Sequence, residues 1–186
     1  MLLQEALDTT RQLAGPLRLP LLDANTPDIT LQRDALSGLA NHGRFTRQLA
    51  ASIEQSQRSD EMLSVLLINI DHFHRINEQY GHPAGDRLLR TIAQRINDCT
   101  RLTDRLGRLG GDTFCLILPT ANATGGQVVA ERLRAMVERT ELSVGGAQMS
   151  CSVSLCGISL PPERSIAASV VLDRLESALR ATRHQG

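Results

Sequence analysis

Apolar residues recur along the chain with two different periods, and these periods predict its helices and strands. Apolar positions three or four residues apart predict helices over 42–58, 86–98, 124–139 and 165–183. The nearly continuous apolar run 62–70 is typical of a strand buried on both faces. Further strands are predicted over 104–109, 113–118 and 148–160, and a tight glycine turn at 110–112 joins the first two.

After the first of these helices, the elements follow in the order β-α-β-β-α-β. This is the split βαβ arrangement of ferredoxin-like and polymerase-palm domains. We therefore expect an α/β (α+β) domain over residues 30–186, with a central, mainly antiparallel sheet flanked by helices. Residues 1–29 are expected to form a separate segment, a short N-terminal helix over 2–14 followed by a proline-containing connector.

Balanced charge and few aromatic side chains argue against nucleic-acid binding. The chain has 20 basic and 20 acidic residues, three Phe, one Tyr and no Trp, so it lacks a basic excess and stacking platforms. No apolar run reaches the roughly 20 residues of a membrane span, and the N terminus lacks the pattern of a signal peptide. We expect a cytoplasmic protein whose four cysteines are structural thiols.

The glycine turn is the strongest candidate for chemistry. Gly110 and Gly111 allow a ligand to approach the backbone, and Asp112 adds a carboxylate directly after them. Asn69 and Asp71 lie at the end of the central strand, which would bring further oxygen ligands to a metal and phosphate site. An aspartate in a turn also has an ordinary structural role, and the residues alone leave both interpretations open.

Four separated motifs closely resemble the GGDEF domain family. They are DALSGLAN at 34–41, NIDHFHRINEQYGHPAGD at 69–86, RLTD at 101–104 and GGDTF at 110–114. The resemblance runs from about residue 30 to the C terminus, and it implies a palm-like fold and diguanylate cyclase activity. In that reaction two GTP molecules, one on each protomer of a homodimer, condense to cyclic di-GMP with the help of Mg²⁺.

Several binding residues of the family are retained. The resemblance implies that Asn77 and Asp86 bind guanine, with an amide and a carboxylate that read the edge of the base. Gly110 and Gly111 correspond to the glycines that pass the phosphates, and Asp112 to a carboxylate for the metal and the 3′-hydroxyl. The structural alternative is that Asn77 and Asp86 cap or start helices.

Three positions of the catalytic centre depart from the family. Asn69 stands where the family has its first metal-binding Asp, Thr113 where the signature has Glu, and His74 where a Lys helps to hold the triphosphate. Arg183 corresponds to a C-terminal Lys that steadies phosphates. Because Mg²⁺ prefers charged oxygen ligands, the loss of two carboxylates predicts an inactive or very weak domain. Asp71, expected on the same side of the strand as Asn69, is the candidate substitute.

A second site of the family is intact. Arg101 and Asp104 form the Arg-x-x-Asp motif (RxxD) that binds the product in GGDEF proteins, and Arg132 resembles an arginine that joins this site in some members. An arginine binds phosphate through two N–H groups and stacks on purines. The structural alternative is an exposed ion pair between Arg101 and Asp104.

The contrast between the two sites favours a non-catalytic module of cyclic di-GMP signalling. It would bind cyclic di-GMP at the RxxD motif, GTP at the vestigial active site, or both, with Mg²⁺ expected only alongside a nucleotide at the active site. The alternatives are a weak cyclase in which Asp112 and Asp71 hold the metal, and a structural or dimerisation domain that binds no nucleotide. The resemblance also implies a sensor or EAL phosphodiesterase domain as a partner, in cis or in trans.

Overall fold

The computed structural model describes residues 32–144 and 147–183. Its helices are α1 (His42–Ser59), α2 (Phe73–Tyr80), α3 (His82–Asp98), α4 (Ala123–Glu138) and α5 (Ala168–Arg183). Its strands are β1 (Leu63–Ile70), β2 (Arg105–Gly110), β3 (Thr113–Pro119), β4 (Leu142–Val144), β5 (Ala147–Met149) and β6 (Val153–Leu160). None of these helices is long and apolar enough to cross a membrane. The predicted N-terminal helix 2–14 and connector 15–29 lie outside the described residues.

A four-stranded antiparallel sheet with the order β2-β3-β1-β6 forms the centre of the domain. Every residue of β1 is buried, because β1 lies between β3 and β6 and has helices over both faces. This arrangement confirms the predicted α+β class with a central antiparallel sheet. β4 and β5 pair as a separate two-stranded sheet.

Alternate residues of β1 enter two hydrophobic clusters, one on each face of the sheet. Leu66, Ile68 and Ile70 pack with α3 and α4 on one face. Val65 and Leu67 pack with α1 and α5 on the other face. Because Ile70 belongs to the first cluster and Leu67 to the second, packing on both faces of the sheet fixes the position of Asn69 near the end of β1.

The structure corrects the predicted elements at several places. The apolar pattern did not predict α2, a helix of eight residues with no buried side chain. Helix α3 begins at His82 rather than at residue 86, with Pro83 in its first turn. Helix α5 begins at Ala168 rather than at residue 165. The predicted strand 148–160 is divided into β5 and β6 by residues 150–152, which have no strand pairing.

The four cysteines are free thiols. Cys115 is fully buried in the sheet, and burial raises the pKa of its thiol far above the ordinary value. Burial also raises the pKa of Cys151 and of Cys156 to about 11. These three thiols are therefore protonated at neutral pH, as expected of structural cysteines.

Candidate functional site

Three of the predicted site residues meet at the end of β1. In the register of the sheet, Asn69 lies opposite Thr113 of β3 on one side and opposite Ser154 of β6 on the other. The backbone N–H of Ile70 donates to the carbonyl oxygen of Asp112 at 3.1 Å. Strand pairing therefore brings Asn69, Asp112 and Thr113 side by side.

The side chain of Asn69 bonds to both hairpin residues. Asn69 is only 2% exposed. Its Nδ2 donates to Asp112 Oδ1 at 2.8 Å and to Thr113 Oγ1 at 3.0 Å. Its Oδ1 is buried and has no hydrogen-bond partner among the described residues. A neutral amide thus places the positive end of a dipole against the Asp112 carboxylate.

These residues do not fit the Mg²⁺ ion that the resemblance implies. Mg²⁺ takes oxygen ligands and is usually bound through carboxylates. Here the amide of Asn69 directs its N–H group towards Asp112, and Thr113 offers only a hydroxyl. Within residues 32–144 and 147–183, no three Asp, Glu, His or Cys side chains form a group that could hold a metal. One carboxylate stands where the resemblance implies three.

Asp71 lies beyond the end of β1 and has partners of its own. Its Oδ2 and Oδ1 accept hydrogen bonds from the hydroxyls of Ser152 and Ser154, both at 2.6 Å. Alternation along a strand predicted one shared side for Asn69 and Asp71. However, β1 ends at Ile70, and the two side chains line different cavities. Both oxygens of Asp71 are thus engaged by serines.

The turn between β2 and β3 is open on its outer side. Gly110 and Gly111 have φ angles of 146° and 50°, a region that L side chains rarely adopt. A Cβ atom on either glycine would meet nothing within 4 Å. A ligand therefore has room to approach the backbone of this turn.

Arg108 and Asp34 form an ion pair that the sequence pattern did not predict, and this pair stabilises the turn. Arg108 Nε and Nη2 donate to the carbonyl oxygen of Gly111 at 3.0 and 2.5 Å. Arg108 Nη1 donates to the two carboxylate oxygens of Asp34 at 2.8 and 3.0 Å. Burial raises the pKa of Asp34, but hydrogen bonds from Ser37 and Arg108 outweigh this effect and hold the pKa below its ordinary value. The sequence feature that could have pointed to this ion pair is that Asp34 is the first residue of the motif DALSGLAN at 34–41.

The two guanine-binding candidates lie on neighbouring helices and cap neither of them. Asn77 lies within α2, and Asp86 is the fifth residue of α3, whose N-cap is Gly81. Asn77 Oδ1 is buried without a hydrogen-bond partner, and a Cβ on Gly85 would lie 2.0 Å from it. The Asp86 carboxylate has no hydrogen bond or ion pair to any described residue. The capping alternative is therefore wrong.

The candidate phosphate ligands are arranged differently from the sequence-based expectation. His74 is exposed on α2, and the side chain of Arg183 lies outside the described residues. A cavity of about 280 Å³ beside the glycine turn is instead lined by His42, Glu176 and Arg180, together with Asn69, Gly110 and Thr113. The i, i+4 spacing of Glu176 and Arg180 predicts one helix face, but only the tertiary fold brings that face to the turn.

The RxxD turn, residues 101–104, is folded and held by several hydrogen bonds. The backbone N–H of Arg101 donates to Asp104 Oδ2 at 2.7 Å. Arg105 Nη1 donates to the carbonyl oxygens of residues 102, 103 and 104 at 2.8, 2.9 and 3.0 Å. Arg132 Nη2 donates to the carbonyl oxygen of Cys99 at 2.8 Å, which places Arg132 beside the turn.

The guanidinium of Arg101 has no hydrogen bond or ion pair to any described residue. The structural alternative, an ion pair between Arg101 and Asp104, is therefore not formed in the described part of the chain. Arg101 and Asp104 interact through the backbone instead.

Comparison with known proteins gives one consistent family. The profile of the diguanylate cyclase GGDEF domain matches residues 31–186. Diguanylate cyclase A of Treponema denticola is 35% identical over 135 residues, which cover 73% of this chain and 36% of that protein. This chain therefore spans about a third of the length of that relative.

Two solved structures share the fold of this chain. Diguanylate cyclase SiaD of Pseudomonas aeruginosa, solved with its activator SiaC, has a TM-score of 0.77 at 28% identity, covering 99% of this chain and 68% of that chain. The GGDEF domain of DgcB from Caulobacter crescentus, solved with cyclic di-GMP, has a TM-score of 0.77 at 24% identity, covering 84% and 89%.

Proposed function

This chain belongs to the GGDEF domain family of diguanylate cyclases, and from that membership we propose that it is a receptor domain of cyclic di-GMP signalling without cyclase activity. Its proposed ligands are cyclic di-GMP at the RxxD turn and GTP at the vestigial active site. The observation that carries the proposal is the state of the RxxD turn. Its backbone is already held in place, while the guanidinium of Arg101 has no partner among the described residues.

The chemistry of the turn suits a cyclic dinucleotide. A preformed turn reduces the conformational entropy that binding must remove. The planar fork of Arg101 can bind a phosphate through two N–H groups or stack on a guanine. Asp104 uses Oδ2 for the turn, which leaves Oδ1 to accept from a guanine N–H. Arg132 uses Nη2 for the carbonyl of Cys99, which leaves its other N–H groups to donate to a second phosphate.

Calorimetric titration with cyclic di-GMP tests this receptor function. We expect saturable binding by the parent protein, and a loss of at least about tenfold in affinity in Arg101→Ala, because one charge-assisted phosphate contact contributes about 1.5–3 kcal/mol. Arg134→Ala is the matched control, since Arg134 is an exposed arginine of α4 that pairs with Glu131 and Glu138 of the same helix. Equal binding by Arg101→Ala and Arg134→Ala would reject the RxxD turn as the site.

The absence of cyclase activity is proposed from the contact between Asn69 and Asp112. Phosphoryl transfer depends on positioning and on charge stabilisation by metal ions. Asn69 has an amide where the family has one metal-binding carboxylate, and this amide donates a hydrogen bond to the second carboxylate, Asp112. One metal ligand is therefore missing, and the other is bonded to an N–H group instead of a metal ion. We expect no cyclic di-GMP from GTP and Mg²⁺ in a chromatographic assay, and a gain of product in the double variant Asn69→Asp, Thr113→Glu. Product formed by the parent protein would contradict the proposal.

The two alternatives are less well supported. A weak cyclase would need Asp71 as a metal ligand, but both oxygens of Asp71 accept hydrogen bonds from serine hydroxyls. A structural or dimerisation domain would not need an Arg101 guanidinium that lacks a partner among the described residues, and a titration without heat from either nucleotide would favour this alternative.

We further propose that nucleotide binding to this domain is signalled to a sensor or EAL domain, in cis or in trans, or to a second copy in a homodimer.

A further inference from the structure

A second cavity lies at the other end of the central sheet from the glycine turn. It has a volume of about 350 Å³ and is bordered by α1, the start of β1, the end of β3 and the RxxD turn. Leu63, which lines it, begins β1, whereas Asn69 lies near the end of the same strand. The cavity is therefore separate from the vestigial active site, and its volume is in the range of small-molecule sites in proteins.

The lining of this cavity suits a neutral ligand. It includes the apolar side chains of Ala51, Met62 and Pro119. Among the described residues that line it, only Glu61 and Arg105 carry a charge, and Arg105 Nη1 is already bonded to three carbonyl oxygens of the RxxD turn. Because the two charges are opposite, the cavity has no positive excess for a phosphate, and it favours a largely apolar molecule over a nucleotide.

One wall of the cavity contains an unsatisfied hydrogen-bond acceptor. Gln48 lines the cavity, and its Oε1 is buried without a hydrogen-bond partner among the described residues. A buried acceptor costs free energy as long as it stays unpaired. The terminal torsion of a glutamine side chain is soft, so the amide can turn its oxygen towards a ligand. A ligand with an N–H group would therefore remove this cost.

Thr120 adds a second unfavourable feature to the same cavity. It lines the cavity, and its φ angle of 61° lies in a region that β-branched residues rarely adopt. Strained backbone of this kind is concentrated at binding and catalytic sites. An unpaired acceptor and a strained residue thus meet at one cavity, which is typical of a ligand site rather than of a packing defect.

We propose that this cavity binds a neutral, largely apolar ring molecule whose single N–H group donates to Gln48 Oε1, and that this ligand strengthens cyclic di-GMP binding at the RxxD turn. The ligand packs against Thr103 and Arg105, which both line the cavity. It thereby restrains the side chain that holds the turn, so cyclic di-GMP binding removes less conformational entropy. The strengthening rests on the proposed function, whereas the cavity site does not.

Two matched probes, indole and benzofuran, test the cavity site. Their fused rings have the same size, but indole has an N–H group where benzofuran has an oxygen atom. The full chain is labelled at its methionine methyl groups and followed by NMR. Met62 lines the cavity, whereas Met136 and Met149 pack in the hydrophobic cluster of α3 and α4 and serve as internal controls.

We expect indole to shift the Met62 resonance saturably and to leave those of Met136 and Met149 unchanged. Benzofuran should bind about threefold to tenfold more weakly, because it cannot donate the hydrogen bond to Gln48. No saturable shift of Met62 with indole, or equal affinities for the two probes, would overturn the inference.

Matched variants test the residues. Gln48→Met removes the acceptor at nearly constant volume, so indole and benzofuran should bind this variant equally. Gln57→Met, at an exposed glutamine of the same helix outside the cavity, should keep the preference for indole. A preference that survives Gln48→Met would reject Gln48 as the partner. Ala51→Leu, at an exposed position of the lining, should block both probes, and unchanged indole binding there would show that indole binds outside the cavity.

Calorimetric titration with cyclic di-GMP, without indole and at a saturating indole concentration, tests the coupling. We expect at least about threefold tighter binding in indole. An unchanged affinity would overturn the coupling, and a fall in affinity would show that the cavity is part of the RxxD site and not a separate one. If cyclic di-GMP gives no heat in either titration while indole still shifts Met62, the receptor function and the coupling are both wrong and the cavity site stands.

Discussion

At the scale of single residues, Arg108 connects two parts of the chain that are far apart in sequence. One guanidinium reaches the carbonyl oxygen of Gly111 and the carboxylate of Asp34, and the side chains of the ion pair are only 10% and 22% exposed. The pair therefore joins the segment before α1 to the glycine turn. Its shielding from water makes it stronger than an ordinary surface ion pair.

Asp34→Asn tests the contribution of this pair to stability. We expect the free energy of unfolding at neutral pH to fall by about 1–2 kcal/mol, since hydrogen bonds to a charged group are lost. The folded-state pKa of Asp34 is lowered, so the stabilisation is present above the unfolded-state pKa and is lost as pH falls through the folded-state pKa. Urea unfolding at neutral and acidic pH should show a difference between variant and parent that disappears in acid.

The control for Asp34→Asn is Glu54→Gln. Glu54 and Arg58 form an exposed pair with a distance of 3.7 Å, so its loss should change the free energy of unfolding by less than about 0.5 kcal/mol. If both variants unfold like the parent at neutral pH, the ion pair between Arg108 and Asp34 does not stabilise the fold.

The absence of a side chain at Gly85 leaves the space that the Asn77 amide occupies. A Cβ atom there would lie 2.0 Å from Asn77 Oδ1 and 3.1 Å from Phe73 Cζ. Gly85→Ala should therefore displace the Asn77 amide, destabilise the protein by about 1–3 kcal/mol through overpacking and weaken GTP binding at least about tenfold. Thermal unfolding and GTP titration measure the two effects.

Gly43→Ala provides the matched control, since Gly43 is also helical but its added Cβ would meet no atom closer than 3.8 Å. Alanine is the better helix former by about 0.5–1 kcal/mol, so this variant should be slightly more stable and bind GTP normally. GTP affinity unchanged by Gly85→Ala would show that Asn77 does not read guanine.

At the scale of elements, the RxxD turn depends on the first residue of β2. Arg105 Nη1 donates to three successive carbonyl oxygens of the turn, so one side chain holds the backbone that presents Arg101. Arg105→Ala should loosen this turn and weaken cyclic di-GMP binding about threefold to tenfold, mainly through a larger entropy loss on binding. Calorimetry separates the enthalpy and entropy of that change.

Arg105→Lys and Arg90→Ala complete this test. A lysine supplies N–H donors but not the planar fork, so partial rescue is expected. Arg90 is an exposed arginine of α3, and its loss controls for a general effect of positive charge. If Arg90→Ala weakens binding as much as Arg105→Ala, the effect is one of long-range charge and not of the turn.

Long segments with a regular apolar pattern predicted the large helices and strands, whereas the short elements were not predicted. The runs that became β1, α1 and α4 carry enough apolar residues to show their period without tertiary information. Helix α2 has eight residues and no buried side chain, so its stability comes from packing on α3 rather than from its own pattern. The break between β5 and β6 was hidden because apolar alternation continues through residue 151.

The candidate site was predictable where residues follow each other closely and not where the fold joins distant segments. The glycines and acids of the motifs could be named from the sequence. The bond from Asn69 to Asp112 spans 43 positions, and the pair of Arg108 with Asp34 spans 74. Such contacts depend on strand order and register, which the residue pattern alone does not specify.

At the scale of the whole molecule, β1 is shared by two hydrophobic clusters. Its residues alternate between the α3 and α4 cluster and the α1 and α5 cluster, so neither cluster can open without exposing the central strand. The glycine turn, Asn69 and the start of α2 all lie at one end of this strand. The site is therefore held in place by packing of the domain core on both faces of β1.

This arrangement predicts one cooperative unfolding transition whichever cluster is damaged. Leu49→Ala in the α1 and α5 cluster and Ile92→Ala in the other cluster should each lower the free energy of unfolding by about 2–5 kcal/mol, because both side chains are fully buried. Far-ultraviolet circular dichroism and the fluorescence of Tyr80, which packs against the second cluster, should give the same urea midpoint in each variant. Val128→Ala, at a site 62% exposed, should change little. Two separated midpoints after Leu49→Ala would mean that the clusters unfold independently and that β1 does not couple the site to both.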